Sequence, residues 1–161
     1  MVDYRKAFQD YYPDDYAHCY GCGRLNKSGL HIKSYWDGDE SVCLFDPHPD
    51  HTGGFPDYLY GGLIASLIDC HSAATASAAR CRQAGIELGD EPLARHVTAA
   101  LKVNYLKPTP VEKVTLRSRI LEITPKKVIV ETTLSAGGTI CAKGETVMVL
   151  ISQRPSESST P

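Results

Sequence analysis

Asp69 is the residue whose surroundings make it a candidate for chemistry. It is the only fully charged side chain in the run GGLIASLIDCHSAATASAA from Gly61 to Ala79, where Leu63, Ile64, Leu67, Ile68, His71, Ala74 and Ala78 recur at three- and four-residue steps. A carboxylate flanked by Leu67, Ile68 and Cys70 is expensive to bury, and desolvation makes its ionised form a stronger base. A purely structural Asp69 would instead accept hydrogen bonds from Ser66, Ser72 or a neighbouring strand. Gly61 and Gly62 open the same run. First-turn N–H groups of a helix have no partners inside it and carry the positive end of its dipole. Bare glycine amides there can hold a carbonyl oxygen that turns negative in a transition state. Gly61 and Asp69 are separated by about 12 Å of helical rise, too far to act on one small atom from the same helix. Two helices in two copies of the chain would bring amides and carboxylate together.

Other candidates compete with Asp69. Cys19-x-x-Cys22, with His18 and His31 nearby, is half of a zinc site, but no second pair follows at a recognisable spacing, so loop packing is expected and no metal. Asp46, His48, Asp50 and His51 precede the glycine-rich Thr52-Gly53-Gly54-Phe55; the expected place for this group is the mouth of a pocket, where His51 could touch substrate. His71 falls on a different helical face from Asp69 and reads as a satisfied core histidine.

The elements that must position these residues follow from periodicity. The Gly61–Ala79 run has almost no polar face, so it is expected to be enclosed by protein; Asp69, His71 and four Ser/Thr residues make it too polar for a membrane span. Short strands are expected over 30–36 and 40–45 around the hairpin signal Asp37-Gly38-Asp39. Val97, Ala99, Leu101, Val103 and Tyr105 alternate with Thr98, Ala100, Lys102 and Asn104, which predicts a strand packed on one side. Strands over 113–123, 127–135 and 139–151, joined by short turns at Thr124-Pro125-Lys126 and Ala136-Gly137-Gly138, make the second half an antiparallel meander. The fold class is α+β, a long central helix wrapped by an antiparallel sheet. Residues 1–17 read as a packing arm broken at Pro13, 18–152 as the domain, and 153–161 as a flexible tail.

The chain has 161 residues, 17 Lys+Arg against 19 Asp+Glu, and a net charge of -2. Such a chain is expected to form one domain, and its balanced charge gives no electrostatic case for nucleic acid or a membrane surface. The first fifteen residues lack the apolar stretch of a signal peptide, so the cytoplasm is the expected compartment and the six cysteines are expected to be free thiols, mostly core residues.

Tyr60-Gly61-Gly62-Leu63-Ile64-Ala65-Ser66-Leu67-Ile68-Asp69 resembles the His-Gly-Gly-x6-Asp/Glu signature of the hotdog-fold thioesterases, in the PaaI-like branch of the 4-hydroxybenzoyl-CoA thioesterase superfamily. Cys19-Tyr20-Gly21-Cys22-Gly23 with Asn26 and Gly29-Leu30 looks like the Cys-x-x-Cys-Gly…Asn…Gly-Leu opening of many members. Val103-Asn104-Tyr105-Leu106-Lys107-Pro108 is similar to the family's strand after the helix, and the likeness covers about residues 18–151. It implies a hotdog fold and hydrolysis of acyl-CoA thioesters, with coenzyme A as part of the substrate and no separate cofactor. It also implies a homodimer or a dimer of dimers with active sites between subunits.

By position, Asp69 matches the general base or nucleophile, Gly61, with Gly62, the carbonyl-polarising amides, and Thr98 a hydroxyl that orients the attacking water. Tyr60 stands where the family usually has His, and a phenol donates one hydrogen bond but does not titrate near neutrality. Asn104 and Tyr105 fall with Tyr60 and His51 on the expected substrate side, and Lys107, Lys126 and Lys127 are candidates for the CoA phosphates. Two other readings are a hotdog enoyl- or hydroxyacyl-thioester (de)hydratase and a non-catalytic acyl-CoA-binding protein.

Overall fold

The computed structural model describes residues 1–151; the expected tail over 153–161 lies outside the described residues. Six strands form one antiparallel sheet: β1 (Tyr35–Asp37), β2 (Glu40–Phe45), β3 (Arg95–Tyr105), β4 (Val114–Ile123), β5 (Lys127–Ala136) and β6 (Thr139–Ile151), in the order β1-β2-β4-β5-β6-β3. One helix, α1 (Gly61–Ala84), packs against β3, β4, β5 and β6. The architecture is the expected α+β one. No helix among the described residues is long and apolar enough to cross a membrane.

Helix α1 runs past Ala79 to Ala84 and stops at Gly85. That residue has φ 69°; its N–H returns to the Arg82 carbonyl while the Ile86 N–H returns to Cys81, a left-handed cap that glycine adopts without strain. Leu63, Ile64, Leu67 and Ile68 are almost fully buried and meet Val114, Leu116, Leu134 and Ala142 from the sheet. The Arg82 guanidinium lies 3.6 Å from the Trp36 ring centroid and donates to the Gly38 carbonyl at 2.9 Å, which ties the end of α1 to the β1–β2 hairpin. The N-terminal arm forms two single 3-10 turns, Phe8–Tyr11 and Asp14–Tyr16, on either side of Pro13. Phe8 and Tyr12 are buried, and Gln9 exchanges two hydrogen bonds with Ser34.

Three expectations change. Residues 30–34 are not a strand; β1 is only three residues long, because Leu30 and Ile32 turn inward to pair with Tyr20 and Gly21 of a preceding loop. The meander holds for β4-β5-β6, but β3 pairs with β6 rather than β4. It therefore lies at the sheet edge, reached by the long connection 106–113. Nor is β3 packed on one side: within one chain both faces are exposed after His96, except at half-buried Val103. A bulge between Thr98 and Ala100 also breaks its alternation.

The helix and the sheet approach closely at Gly144 of β6. A Cβ there would lie 2.5 Å from Cγ2 of Ile68, the neighbour of Asp69, so only glycine lets the two surfaces close. Gly144→Ala is expected to destabilise the fold by about 1–3 kcal/mol through overpacking. The readout is a lower urea midpoint with unchanged far-ultraviolet circular dichroism of the folded state.

Candidate active site

Asp69 sits half-buried on the side of α1 that faces β3. Its Oδ1 accepts a close hydrogen bond from Thr98 Oγ1. Thr98 stands at the β3 bulge, and its hydroxyl also lies 3.5 Å from Met148 Sδ. Of the structural donors expected for Asp69, Ser66 instead donates to the Gly62 carbonyl and Ser72 pairs with Thr132 at 2.9 Å, so the neighbouring strand, through Thr98, is the one that meets it. Among the described residues no group donates to Oδ2, so one carboxylate oxygen is fixed while the other keeps its acceptor capacity.

The N-terminus of α1 opens onto a cavity of about 540 Å³. Phe55, Tyr58, Leu59, Ile64 and Leu106 give it an apolar wall, with Tyr60, Gly61, Tyr105 and Lys107 around it. Tyr60 is the N-cap of α1 and contributes no side-chain cap bond; its carbonyl takes the Leu63 and Ile64 amides. The Gly61 and Gly62 amides meet no acceptor among the described residues. Both glycines make room for tyrosine rings. A Cβ on Gly61 would lie 3.2 Å from Tyr105 Oη and one on Gly62 2.6 Å from Tyr60 Cε2, while Tyr105 Oη donates to the Gly61 carbonyl at 2.8 Å. Thr109, which nothing in its sequence context singles out, lines this cavity and has a buried Oγ1 with no partner among the described residues.

The predicted residues thus fall into two groups within one chain. Tyr60, Gly61, Tyr105 and Lys107 gather at the cavity, with Gly62 next to Gly61 but outside its lining, whereas Asp69 and Thr98 lie two helical turns away and do not line it. Asn104 is exposed on β3, outside the cavity lining. His51 comes near Tyr60 only through its backbone carbonyl, which accepts the Tyr60 N–H; its ring packs on Phe45 and His48. Lys126 lies in the β4–β5 turn and Lys127 opens β5; Arg80, near the other end of α1, anchors this turn through the Thr124 carbonyl at 2.6 Å. Lys107 and this pair are therefore at opposite ends of one chain.

The cysteine pair gains a partner that spacing could not reveal. Cys70 of α1 brings its Sγ to 3.8 Å from that of Cys19, and all three sulfurs of Cys19, Cys22 and Cys70 lie within 4.8 Å of one another. Hydrogen bonds from Cys22 and Cys70 hold the Cys19 thiol well below its ordinary pKa; the bond to Cys19 leads in pushing Cys22 up to about 12, and the bonds to Cys19 and Cys22 hold Cys70 well above its ordinary value.

His71 is a satisfied core histidine. Gln9 Nε2 donates to Ser34 Oγ, whose hydroxyl can then donate to His71 Nδ1 at 2.8 Å. Nε2–H faces Ser41 Oγ at 3.3 Å; that hydroxyl reaches Thr75, and Thr75 returns to the His71 carbonyl. This donor order assigns a neutral ring, and burial lowers its pKa to about 3. His96 is held the same way: Arg80 Nε donates to its Nε2 at 3.1 Å and Ser77 lies at 3.0 Å from Nδ1, with burial and then the Arg80 charge lowering its pKa to about 4.

The family pattern described as the thioesterase superfamily matches residues 57–143. No curated protein matches the sequence. Among solved structures, a thioesterase from Haemophilus influenzae is similar at 18% identity and TM-score 0.64, over 81% of this chain and 85% of that one. The PaaI protein from the phenylacetic acid degradation operon of E. coli is similar at 14% identity and TM-score 0.61, over 76% and 80%. A hypothetical thioesterase from Streptococcus pneumoniae, solved with coenzyme A, is similar at 16% identity and TM-score 0.60, over 77% and 88%.

The two buried imidazoles make stability depend on pH in one direction. Both are neutral when folded and titrate near the ordinary 6.5 when unfolded, so the unfolded chain binds more protons below that value. Stability is expected to fall by about 1.4 kcal/mol per pH unit per imidazole as pH drops below 6.5, down to about 4 for His96 and about 3 for His71. Urea unfolding between pH 7 and 5 measures this slope, and His96→Gln is expected to reduce it by about half.

Proposed function

This chain belongs to the thioesterase superfamily, and we propose that it hydrolyses acyl-CoA thioesters at sites shared between two copies of itself. The observation that carries this reading is the division of the site: a carboxylate steadied by Thr98 in one place, and an apolar cavity at unpaired helix amides in another. Neither half is sufficient, and β3 supplies the means of joining them. It is an 11-residue edge strand with Val97, Leu101 and Tyr105 exposed, and an unpaired edge is a template for another strand. Pairing β3 with its counterpart would bring Asp69 of one copy toward the cavity of the other.

In such a dimer the thioester carbonyl oxygen accepts from the Gly61 and Gly62 N–H groups, which stabilise the negative charge it develops. The second copy's Asp69 takes a proton from water through its open oxygen while Thr98 holds the other. The water oxygen bonds to the carbonyl carbon, the tetrahedral oxyanion collapses, and the C–S bond breaks. The proton passes to the departing thiolate, leaving a carboxylic acid and the free thiol of CoA. A thioester is already an activated acyl donor, so a base and oxyanion donors suffice. Lys107, which lines the cavity, would meet a phosphate of the CoA arm, and the apolar wall would take the acyl chain.

Thiol release over a panel of acyl-CoAs tests this reading. Asp69→Asn is expected to lower kcat by about 10²–10⁴-fold while acyl-CoA still raises the melting temperature. Thiol release equal to wild type from both Asp69→Asn and Asp69→Ala would remove the assignment, and ligand stabilisation with no turnover by the native chain would favour a binding protein. Because Tyr60 contributes no cap bond, Tyr60→His is expected to leave kcat/KM within about tenfold, a difference of ~1.4 kcal/mol in transition-state stabilisation.

A further inference from the structure

We propose that Cys19, Cys22 and Cys70 form a binding site for a zinc ion that ties the loop of residues 17–32 to α1 beside Asp69. Three sulfurs from two separate parts of the chain converge here, and each offers its Sγ to a common point. The distance of 3.8 Å between Cys19 and Cys70 is that of a tetrahedral edge: zinc–sulfur bonds of about 2.3 Å place two ligand sulfurs about 3.8 Å apart. All pairs lie within 4.8 Å, so closing the set about an ion asks for side-chain shifts of roughly 1 Å or less. A disulfide would use two of these thiols and leave the third without a purpose; a thiophilic ion uses all three.

The backbone around the thiols is built for this convergence. Cys19–Gly23 is a tight turn in which the Gly23 N–H donates to the Cys19 carbonyl at 2.7 Å, and a Cβ on Gly23 would lie 2.4 Å from the Cys19 nitrogen. Gly21 leaves the space that the third sulfur occupies: a Cβ there would stand 2.3 Å from Cys70 Sγ. The loop has no regular secondary structure, yet it is fixed by Leu25 N–H to Ala17, Leu30 N–H to Tyr20 and Ile32 N–H to Gly21, and Asn26 Nδ2 donates to the His18 carbonyl. The Asn26 and Gly29-Leu30 positions therefore shape a knuckle, and the cysteines are what that knuckle presents.

Zinc is the ion this donor set suits. Thiolates select soft or borderline d¹⁰ ions over calcium or magnesium, and three protein ligands leave a fourth position for water or a small thiol. The ion would hold α1 against the loop through Cys70, the residue after Asp69, and so would fix the helix turn that presents the carboxylate. The inference stands on the sulfur geometry alone and does not depend on the acyl-CoA reading.

The full chain, purified under reducing conditions, is loaded with Zn²⁺, gel-filtered and assayed for metal, and Co²⁺ is substituted as a spectroscopic probe. The expected result is about one zinc per chain retained after gel filtration, and cobalt–thiolate charge-transfer bands with the strong visible absorption of tetrahedral cobalt. Cys19→Ser is expected to cut retained zinc to under about a tenth of an equivalent, and Cys141→Ser, a buried cysteine outside the cluster, to leave it unchanged. Wild-type protein that is fully reduced yet retains no zinc and gives no cobalt–thiolate band would overturn the proposal. So would equal zinc retention by Cys19→Ser and wild type. Because the cobalt spectrum is read on the wild-type chain, the test survives a Cys19→Ser variant that fails to fold.

Discussion

A helix with almost no polar face must be enclosed, and the polar groups it buries must find partners inside that enclosure; the rest of this fold is arranged around that requirement. The sheet covers α1 with Val114, Leu116, Leu134 and Ala142, and the N-terminal arm closes another side through Phe8. The helix's interior polar atoms are answered one by one: Ser72 by Thr132, His71 and Thr75 by Ser41, Ser77 by His96. A buried polar group without a partner costs about 1–3 kcal/mol, so these pairs specify which face of the helix meets which strand. Asp69 is the exception. Its one partner among the described residues, Thr98, comes from the edge strand, where the enclosure is left open.

Close approach is the second theme, and it is achieved by omitting side chains. Gly144 lets β6 reach Ile68, Gly61 and Gly62 let two tyrosine rings lie over the helix terminus, and Gly21 lets a loop reach Cys70. At the helix terminus this has a chemical consequence. Gly61, at the positive end of the helix dipole, lines an apolar cavity, where electrostatic interactions are stronger than in water.

The central helix, the β1–β2 hairpin turn and the β4-β5-β6 meander were legible in the sequence because each rests on local periodicity and turn chemistry. The position of β3 was not. Its alternation is that of a half-buried strand, but alternation records which faces are apolar and not what covers them; among the described residues of the single chain Val97, Leu101 and Tyr105 stay exposed. Of the site, the contact between Asp69 and Thr98 was foreseeable only through the family resemblance, since 29 residues separate them and a bulge redirects the strand. The third cysteine was invisible for a similar reason. Metal-ligand patterns are read as short spacings, and Cys70 joins Cys19 and Cys22 only when α1 is laid beside the loop. Thr109 carries no signal at all, because a buried hydroxyl without a partner is defined by its surroundings.

What makes the carboxylate usable is the way three consecutive residues fix the rotation of one helical turn. Side chains at successive positions point about 100° apart around an α-helix. Ile68 is committed to the sheet, where it fills the space that Gly144 leaves, and Cys70 is committed to the knuckle loop, where it fills the space at Gly21. With those two directions occupied, Asp69 has one direction remaining, toward β3 and Thr98. A small rotation of α1 would have to break both steric fits at once. The carboxylate is therefore aimed by packing on either side of it rather than by its own hydrogen bond, and Thr98 is left to choose only which oxygen is held and which is free to take a proton.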